Sequence, residues 1–415
     1  MIPGGSLKAD THVFLPMGFI LFALLAFGTS QIILLFQTDV FLSGHFRMPL
    51  IWMTTHFLLL GFAVMVAMGA MYQLVPAVFS TTIYNETFGF IQLIVTIIGF
   101  SSFSLLIGLK PDQAIYGGIV AVVGILMFLL QMFLTIMKQR VKNIVTAFVL
   151  GALVSLFLTI IAGFILVWSL TFESVSMYEM IFKSHITLGI AGWFSLLIFG
   201  FSYKLVPMFS LSHGFSQKNA QLAFLIYATG LIILNISYWF SLLYIQMLGW
   251  TFLLIGFSLF VLDIREILQK RLRRKLDKPL SFALLAILNG LLIHVLTFFL
   301  SIFKVTDPTI WSLLTFFYII GWIIFSILGY LYKIVPFLWW SHRSAKSDGK
   351  QKVPSIVEMT NEKLITVLFA FFYIGILGLI VGVIAQIASI VFLFQLIVTI
   401  TSIVYIYSIV KIVFM

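Results

Sequence analysis

Three of the seven histidines lie inside long apolar stretches, where an ionisable side chain is a candidate functional group. They are His56, His185 and His294. An imidazole in such a setting can ligate heme iron or copper, relay protons, or form a polar contact between helices. Each residue taken alone leaves these three roles open. The other four lie at the ends of apolar stretches or between them: His12, His45, His213 and His342.

The composition predicts a membrane setting for these histidines. The chain has 415 residues, of which 62% are hydrophobic and only 9% are charged, whereas a soluble protein has about a quarter charged residues. The absence of cysteine excludes disulfides, thiolate metal sites and cysteine-ligated iron–sulfur clusters. The net charge of +11 is explained by basic loops beside a membrane rather than by nucleic-acid binding. No cleavable signal peptide is expected, since the first apolar run leads into a span.

Twelve segments are apolar and long enough to cross a membrane, which requires about 20 residues. They predict an all-α polytopic membrane protein, in which spans 2, 6 and 10 are longer than the others. The predicted spans are 13–36, 48–78, 88–108, 114–137, 144–170, 180–209, 220–241, 243–264, 280–303, 309–340, 363–386 and 389–413.

The distribution of basic residues predicts the orientation. The loops after even-numbered spans, together with Lys8 and Lys411, hold 20 of the 24 lysines and arginines. By the positive-inside rule, both termini and these loops are cytoplasmic, and the chain is a multi-pass protein of the cell membrane. The basic stretches 271–275 and 341–362 can also bind anionic lipid, although setting the topology is the favoured explanation.

A threefold repeat is visible in spans 2, 6 and 10. Each contains a tyrosine that is preceded by glycines at eleven and three residues and followed by a proline at four. The tyrosines are Tyr72, Tyr203 and Tyr332. The pattern predicts three arcs of four helices about a pseudo-threefold axis, with small residues allowing close helix approach. The proline is expected to end each regular helix. The repeats cover approximately 13–137, 144–265 and 280–413 within one transmembrane domain, 1–415.

This organisation resembles the main subunit of heme–copper oxidases and nitric oxide reductases. The motif similarity is carried by 185–207, with a histidine, a Gly-Trp pair and then Gly-x-x-Tyr-x-x-Val-Pro. A second similarity, to NnrS-type heme-and-copper membrane proteins, is carried by 205–214. Both resemblances imply heme b as a cofactor, with copper as a further candidate.

The resemblance also implies how two histidines face. Counted from the repeat tyrosine, His56 is at minus 16 and His185 at minus 18. In the oxidase family, a histidine at minus 16 faces the following arc, and a histidine at minus 18 faces the preceding arc. The two residues would then face each other across the first arc, from helix 2 to helix 6, as axial ligands of one heme. Arg47 and Lys183 are candidate partners of the heme propionates, or ordinary interfacial residues; His45 is a further candidate.

The sequence departs from the family at its reduction site. Leu314 and Phe316 occupy the two ligand positions of span 10, and span 7 has no histidine. Oxygen or nitric oxide reduction at a family-type centre is therefore not expected. His294 is another candidate metal or heme ligand, with a helix-contact role favoured. His213 and His342, six residues after their repeat prolines, are candidates for an inner-face copper or heme site, or are interfacial.

Carboxylates in the spans are too few for a proton pump or an ion-coupled transporter. Glu173 and Glu179 are expected near the outer face, and Asp263 and Glu266 near the inner face. The sequence thus predicts a heme-binding membrane protein in electron transfer, heme or copper handling, or the nitric oxide response. If it is an enzyme, it is a divergent oxidoreductase. Expected partners are lipid, a redox protein or second subunit, and a small molecule such as nitric oxide. The alternative is a transporter that keeps the bundle without heme.

Overall fold

The structure, a computed structural model, describes residues 11–43, 46–139, 142–172, 176–346 and 353–414, with only the backbone of residues 345 and 346. Within these ranges the chain is helical and has no β-strand, apart from one isolated bridge between Ser212 and Arg271. The predicted all-α polytopic class is confirmed, since twelve helices are long and apolar enough to cross a membrane. They are α1 Phe14–Leu35, α2 Pro49–Phe79, α3 Glu86–Leu109, α4 Pro111–Met137, α5 Ile144–Phe172, α6 Tyr178–Ser210, α7 Ala220–Phe240, α8 Leu243–Gln269, α9 Lys278–Ile302, α10 Pro308–Ser344, α11 Glu362–Ala385 and α12 Ala388–Val413.

The packing order of the described helices separates an outer ring from an inner group. Helices α1, α3, α4, α5, α7, α8, α9, α11 and α12 each pack against the next and close back on α1. The three longest helices, α2, α6 and α10, lie inside this ring. We call the end with the loops after even-numbered helices the basic end, and the other the distal end. The first arc runs from α2 to α6, the second from α6 to α10, and the third from α10 back to α2.

The three inner helices meet around a small apolar cavity of about 70 Å³. Its wall includes three layers, each with one residue from every inner helix. Within a layer, each residue is the same number of positions from the repeat tyrosine of its own helix. The repeat positions therefore surround one axis, as the sequence pattern predicts. The layers are Ala67, Ile198 and Ile327; Ala70, Phe201 and Tyr330; and Leu74, Leu205 and Ile334.

Each inner helix contains a π-helical segment at a matching position: Phe57–Val64, Leu188–Phe194 and Tyr318–Ile324. Such segments are rare and frequently mark functional sites. Two of the repeat glycines allow close packing there. A Cβ at Gly61 would lie 2.7 Å from Ala26 of α1, and one at Gly192 would lie 2.8 Å from Ser155 of α5.

The repeat prolines have different consequences in the three helices. Helices α2 and α6 end three residues after Pro76 and Pro207, where Ser80 and Leu211 adopt left-handed backbone conformations. Helix α10 continues beyond Pro336 to Ser344, so the expectation that proline ends it is wrong. A proline removes one backbone hydrogen bond and bends a helix, but in α2 and α6 the chain turns away only at the left-handed residue that follows.

Candidate functional site

His56 is the last α-helical residue of α2 before its π-helical segment. Its Nδ1 lies 2.7 Å from the carbonyl oxygen of Trp52, one turn earlier in the same helix. The ring of Phe103, from α3, packs edge-on against the imidazole with a centroid separation of 5.0 Å. These contacts fix the half-buried ring on the first-arc side of α2, as the family resemblance implies.

His185 lies in α6 and is held by the neighbouring helix α5. Its Nδ1 is 3.0 Å from the carbonyl oxygen of Thr159. One turn further along α5, a Cβ at Gly163 would lie only 2.8 Å from Cε1 of the imidazole. Only glycine at position 163 leaves room for the ring of His185. The ring also lies on the first-arc side of α6.

The two imidazoles share the same hydrogen-bond pattern. Because a carbonyl oxygen only accepts, Nδ1 must carry the proton, and Nε2 is left with its lone pair. Among the described residues, no hydrogen-bond partner contacts Nε2 of His56 or His185. Both imidazoles contact other helices of the first arc, His56 through Phe103 of α3 and His185 through Thr159 of α5.

This pattern is one that metal-binding histidines share. Metal-bound histidines commonly donate the second ring nitrogen to a backbone carbonyl, as both do here. The described residues contain no group of three or more histidines or carboxylates that could hold an ion. Heme iron takes four ligands from its own ring and needs only two from the protein, so a pair of imidazoles is sufficient.

Arg47 and Glu179 form an ion pair at the distal end. The guanidinium makes two contacts with the carboxylate, one of them 3.0 Å long. The hydrogen bonding to Glu179 raises the pKa of Arg47 above its ordinary value. Lys183 is exposed. The role of Arg47 and Lys183 as propionate partners stays a prediction, while His45 and Glu173 lie outside the described residues.

Trp52 is a residue that sequence reasoning missed. Its indole Nε1 is buried and has no hydrogen-bond partner within the described part of the chain. Since it precedes His56 by four residues, it lies on nearly the same side of α2, one turn closer to the distal end. The position of an unused donor beside the histidine pair is not visible in the sequence, where this tryptophan resembles any interfacial aromatic residue.

His294 has partners for both ring nitrogens. Its Nδ1 is 2.7 Å from the carbonyl oxygen of Gly290, and its Nε2 is 3.4 Å from the hydroxyl of Tyr227. The Tyr227 hydroxyl is in turn 3.3 Å from that of Tyr318. The ring of Phe257 packs at 4.4 Å. These contacts support the helix-contact role, in the interior of the second arc.

Aromatic side chains fill that interior beyond His294. Phe199 stacks on Phe260 at 4.1 Å and packs against Phe257 at 5.1 Å. Ser195 accepts a hydrogen bond of 3.0 Å from the indole of Trp322. The interior of the second arc is therefore occupied by the side chains of the protein.

The histidines at the basic end lie apart from the first-arc pair. His342 packs against His12 with a centroid separation of 6.2 Å and against Trp339 at 5.9 Å. His213 is exposed. The structure therefore pairs His342 with the start of α1, and the inner-face site proposed for His213 and His342 stays a prediction.

The repeat tyrosines have polar partners that the sequence analysis did not assign. The hydroxyl of Tyr72 donates to Gln92 at 3.0 Å, and that of Tyr203 donates to Asp263 at 3.0 Å. The hydroxyl of Tyr332 contacts Ser408. Asp263 is buried and also accepts from the Asn219 amide at 2.9 Å. This carboxylate, predicted only to lie near the inner face, is a structural anchor between α6 and α8.

In comparisons with known proteins, the chain matches no protein-family model and no curated protein. The fold and the site therefore define its class on their own. The chain is a polytopic, multi-pass α-helical membrane protein whose helices contact lipid. Two imidazoles on the first-arc side, His56 and His185, each have an Nε2 without a hydrogen-bond partner among the described residues.

Proposed function

We propose that this protein binds a b-type heme between α2 and α6, with Nε2 of His56 and of His185 as the axial ligands. The observation that carries the proposal is the shared hydrogen-bond pattern of the two imidazoles. Each Nδ1 is tied to a backbone carbonyl, and each Nε2 has no partner among the described residues. The buried His294, in contrast, uses both nitrogens.

The surroundings of the pair support the same proposal. Gly163 supplies the space in which the His185 ring is seated. The unpartnered indole N–H of Trp52, one turn from His56, suits a propionate oxygen as an acceptor. Lys183 and the Arg47–Glu179 pair lie at the distal ends of the same two helices. Basic groups near the surface with ligands deeper in the bundle suit a heme whose propionates point to the distal end.

Two axial imidazoles favour electron transfer over chemistry on a bound gas. When bound, a heme supplies one-electron redox chemistry, and two protein ligands leave no free coordination position for oxygen or nitric oxide. The residues of this chain then hold the group, exclude water and tune its surroundings. Electron exchange would require a redox partner or a second subunit. Heme or copper handling and a nitric oxide response stay predictions.

The orientation that accompanies this proposal places the protein in the cell membrane with both termini in the cytoplasm. It rests on the Lys and Arg distribution, which concentrates positive charge at the basic end. In this orientation the histidine pair lies in the outer half of the membrane, where an external electron carrier can approach it.

Purified protein tests the proposal directly. We expect about one heme per chain, a Soret band, and sharp visible bands on reduction, as low-spin iron with two imidazole ligands gives. Protein from cells supplied with a heme precursor should retain these bands through size-exclusion chromatography. A folded, monodisperse preparation that remains colourless and free of iron would support the transporter alternative and contradict heme binding.

A further inference from the structure

A groove of about 620 Å³ opens between α5, α6 and α7, outside the first arc. Helices α5 and α7 approach closely at Gly151, where a Cβ would lie 3.0 Å from the ring of Phe224. From that point toward the distal end, the groove lies between the two helices, with residues of α6 also lining it. Its rims carry exposed apolar side chains, including Val154 and Ile232, so a molecule can enter from lipid.

Two side-chain atoms of residues that line this groove are buried and have no partner in the described part of the chain. They are Oγ of Ser184 in α6 and Oδ1 of Asn235 in α7. Ser184 is 5% exposed. The amide of Asn235 is fixed, because its Nδ2 donates to the carbonyl oxygen of Leu231 at 2.8 Å. The free Oδ1 can only accept a hydrogen bond, whereas the Ser184 hydroxyl can donate and accept.

These two atoms define the chemistry of an occupant. An unpaired buried acceptor is unfavourable in an apolar groove, and a ligand hydroxyl would donate to Asn235 and accept from Ser184. None of the residues that line the groove is charged, which disfavours an ionic head group. The remaining lining is almost entirely apolar, and its volume suits a hydrocarbon body.

We propose that this groove binds a neutral, membrane-soluble alcohol, with its hydroxyl at Ser184 and Asn235 and its hydrocarbon along α5 and α7. Both polar residues lie within about 9 Å of the distal ends of their helices, at 1.5 Å per residue. The hydroxyl is therefore bound near the distal end of the bundle. The inference is independent of the heme proposal, because it uses neither His56 nor His185.

Quenching of Trp239, which lines the groove, tests this inference in detergent-solubilised full-length protein. The probes are a brominated long-chain alcohol and the brominated alkane of the same length. The signal of Trp239 is obtained by difference from the Trp239→Phe variant. We expect the alcohol to bind about tenfold more tightly than the alkane, the effect of one buried hydrogen bond.

Variants separate the hydroxyl site from general lipid contact. Ser184→Ala and Asn235→Leu should each reduce the preference for the alcohol and leave alkane quenching unchanged. Ser155→Ala is the matched control, since its hydroxyl lines the same groove but already donates to Gly151 at 2.9 Å. Ala228→Phe should fill the groove and weaken both probes. Equal affinities for the two probes in the unmodified protein would assign the groove to ordinary acyl chains and overturn the inference.

Discussion

Arg47 and Glu179 join the distal ends of the two helices that carry the histidine pair. Arg47 precedes α2 and Glu179 lies in the first turn of α6, and their side chains form a two-contact ion pair. About half of each side chain is exposed, 51% for Arg47 and 56% for Glu179. The pair therefore joins the two helix ends in a solvated environment, where ion pairs contribute little free energy.

Glu179→Gln should accordingly have a small effect on stability. Because exposed ion pairs contribute about 0.2–1 kcal/mol, we expect the thermal midpoint in detergent to fall by at most a few degrees. The Arg47→Glu, Glu179→Arg double variant should recover part of that loss. A collapse of the fold in the single variant would show that the pair is a principal link between α2 and α6.

The orientation predicts where introduced cysteines can be labelled. The protein has no cysteine of its own, so single cysteines in 138–143, 265–278 and 341–362 report on each basic loop separately. Because positively charged loops remain in the cytoplasm, an impermeant thiol reagent should label them only after the cells are opened. Single cysteines at Asp112, in the first turn of α4, and at Asp307, in the loop before α10, are the controls and should react in intact cells. The reverse pattern would invert the topology.

Much of the fold could be predicted from the sequence because membrane helices follow a simple rule of length and apolarity. The bounds of α5 and α12 differ from prediction by no more than two residues. The π-helical segments could not be predicted, since Phe57–Val64 has no local signal that separates it from an α-helix. The tyrosine partners were equally hidden, because Gln92, Asp263 and Ser408 stand at unrelated distances along the chain.

The site was predictable only in part. The two-residue offset of His56 and His185, interpreted through the family resemblance, predicted the same arc, and both rings contact helices of that arc. The hydrogen bond to Thr159 and the seat beside Gly163 depend on how α5 packs against α6, which no spacing within one helix reveals. The Nε2 partner of His294, Tyr227, comes from α7 and was invisible for the same reason.

Enzymatic gas reduction should be absent from the purified chain. Span 7 lacks histidine, and Leu314 and Phe316 replace the two ligands of span 10. We therefore expect no oxygen or nitric oxide reductase turnover in the usual enzymatic range of about 1–1000 per second. Electrode measurements of gas consumption with a chemical reductant test this. Sustained turnover by a preparation free of other oxidases would contradict the account.

Gly163→Ala should disturb the heme while both histidines remain. A Cβ at this position would lie 2.8 Å from Cε1 and 3.1 Å from Nδ1 of His185, so the ring must move away from the Thr159 carbonyl. We expect a partial change to high-spin iron in the visible spectrum. Gly118→Ala, in α4 of the same arc, is the control. Its new Cβ would meet the Phe103 ring at an ordinary 3.6 Å, and its spectrum should match that of the unmodified protein.

The spectra of His56→Ala and His185→Ala test the central claim most directly. If both residues ligate one heme, each single variant loses one axial ligand and should become high-spin or lose the heme. The two variants should then resemble each other, and the double variant should show no second heme signal. His213→Ala, which changes an exposed histidine, should leave the spectrum intact. Unchanged low-spin spectra in both single variants would contradict the account. If each single variant instead lost a different heme signal, the two histidines would belong to two different metal sites.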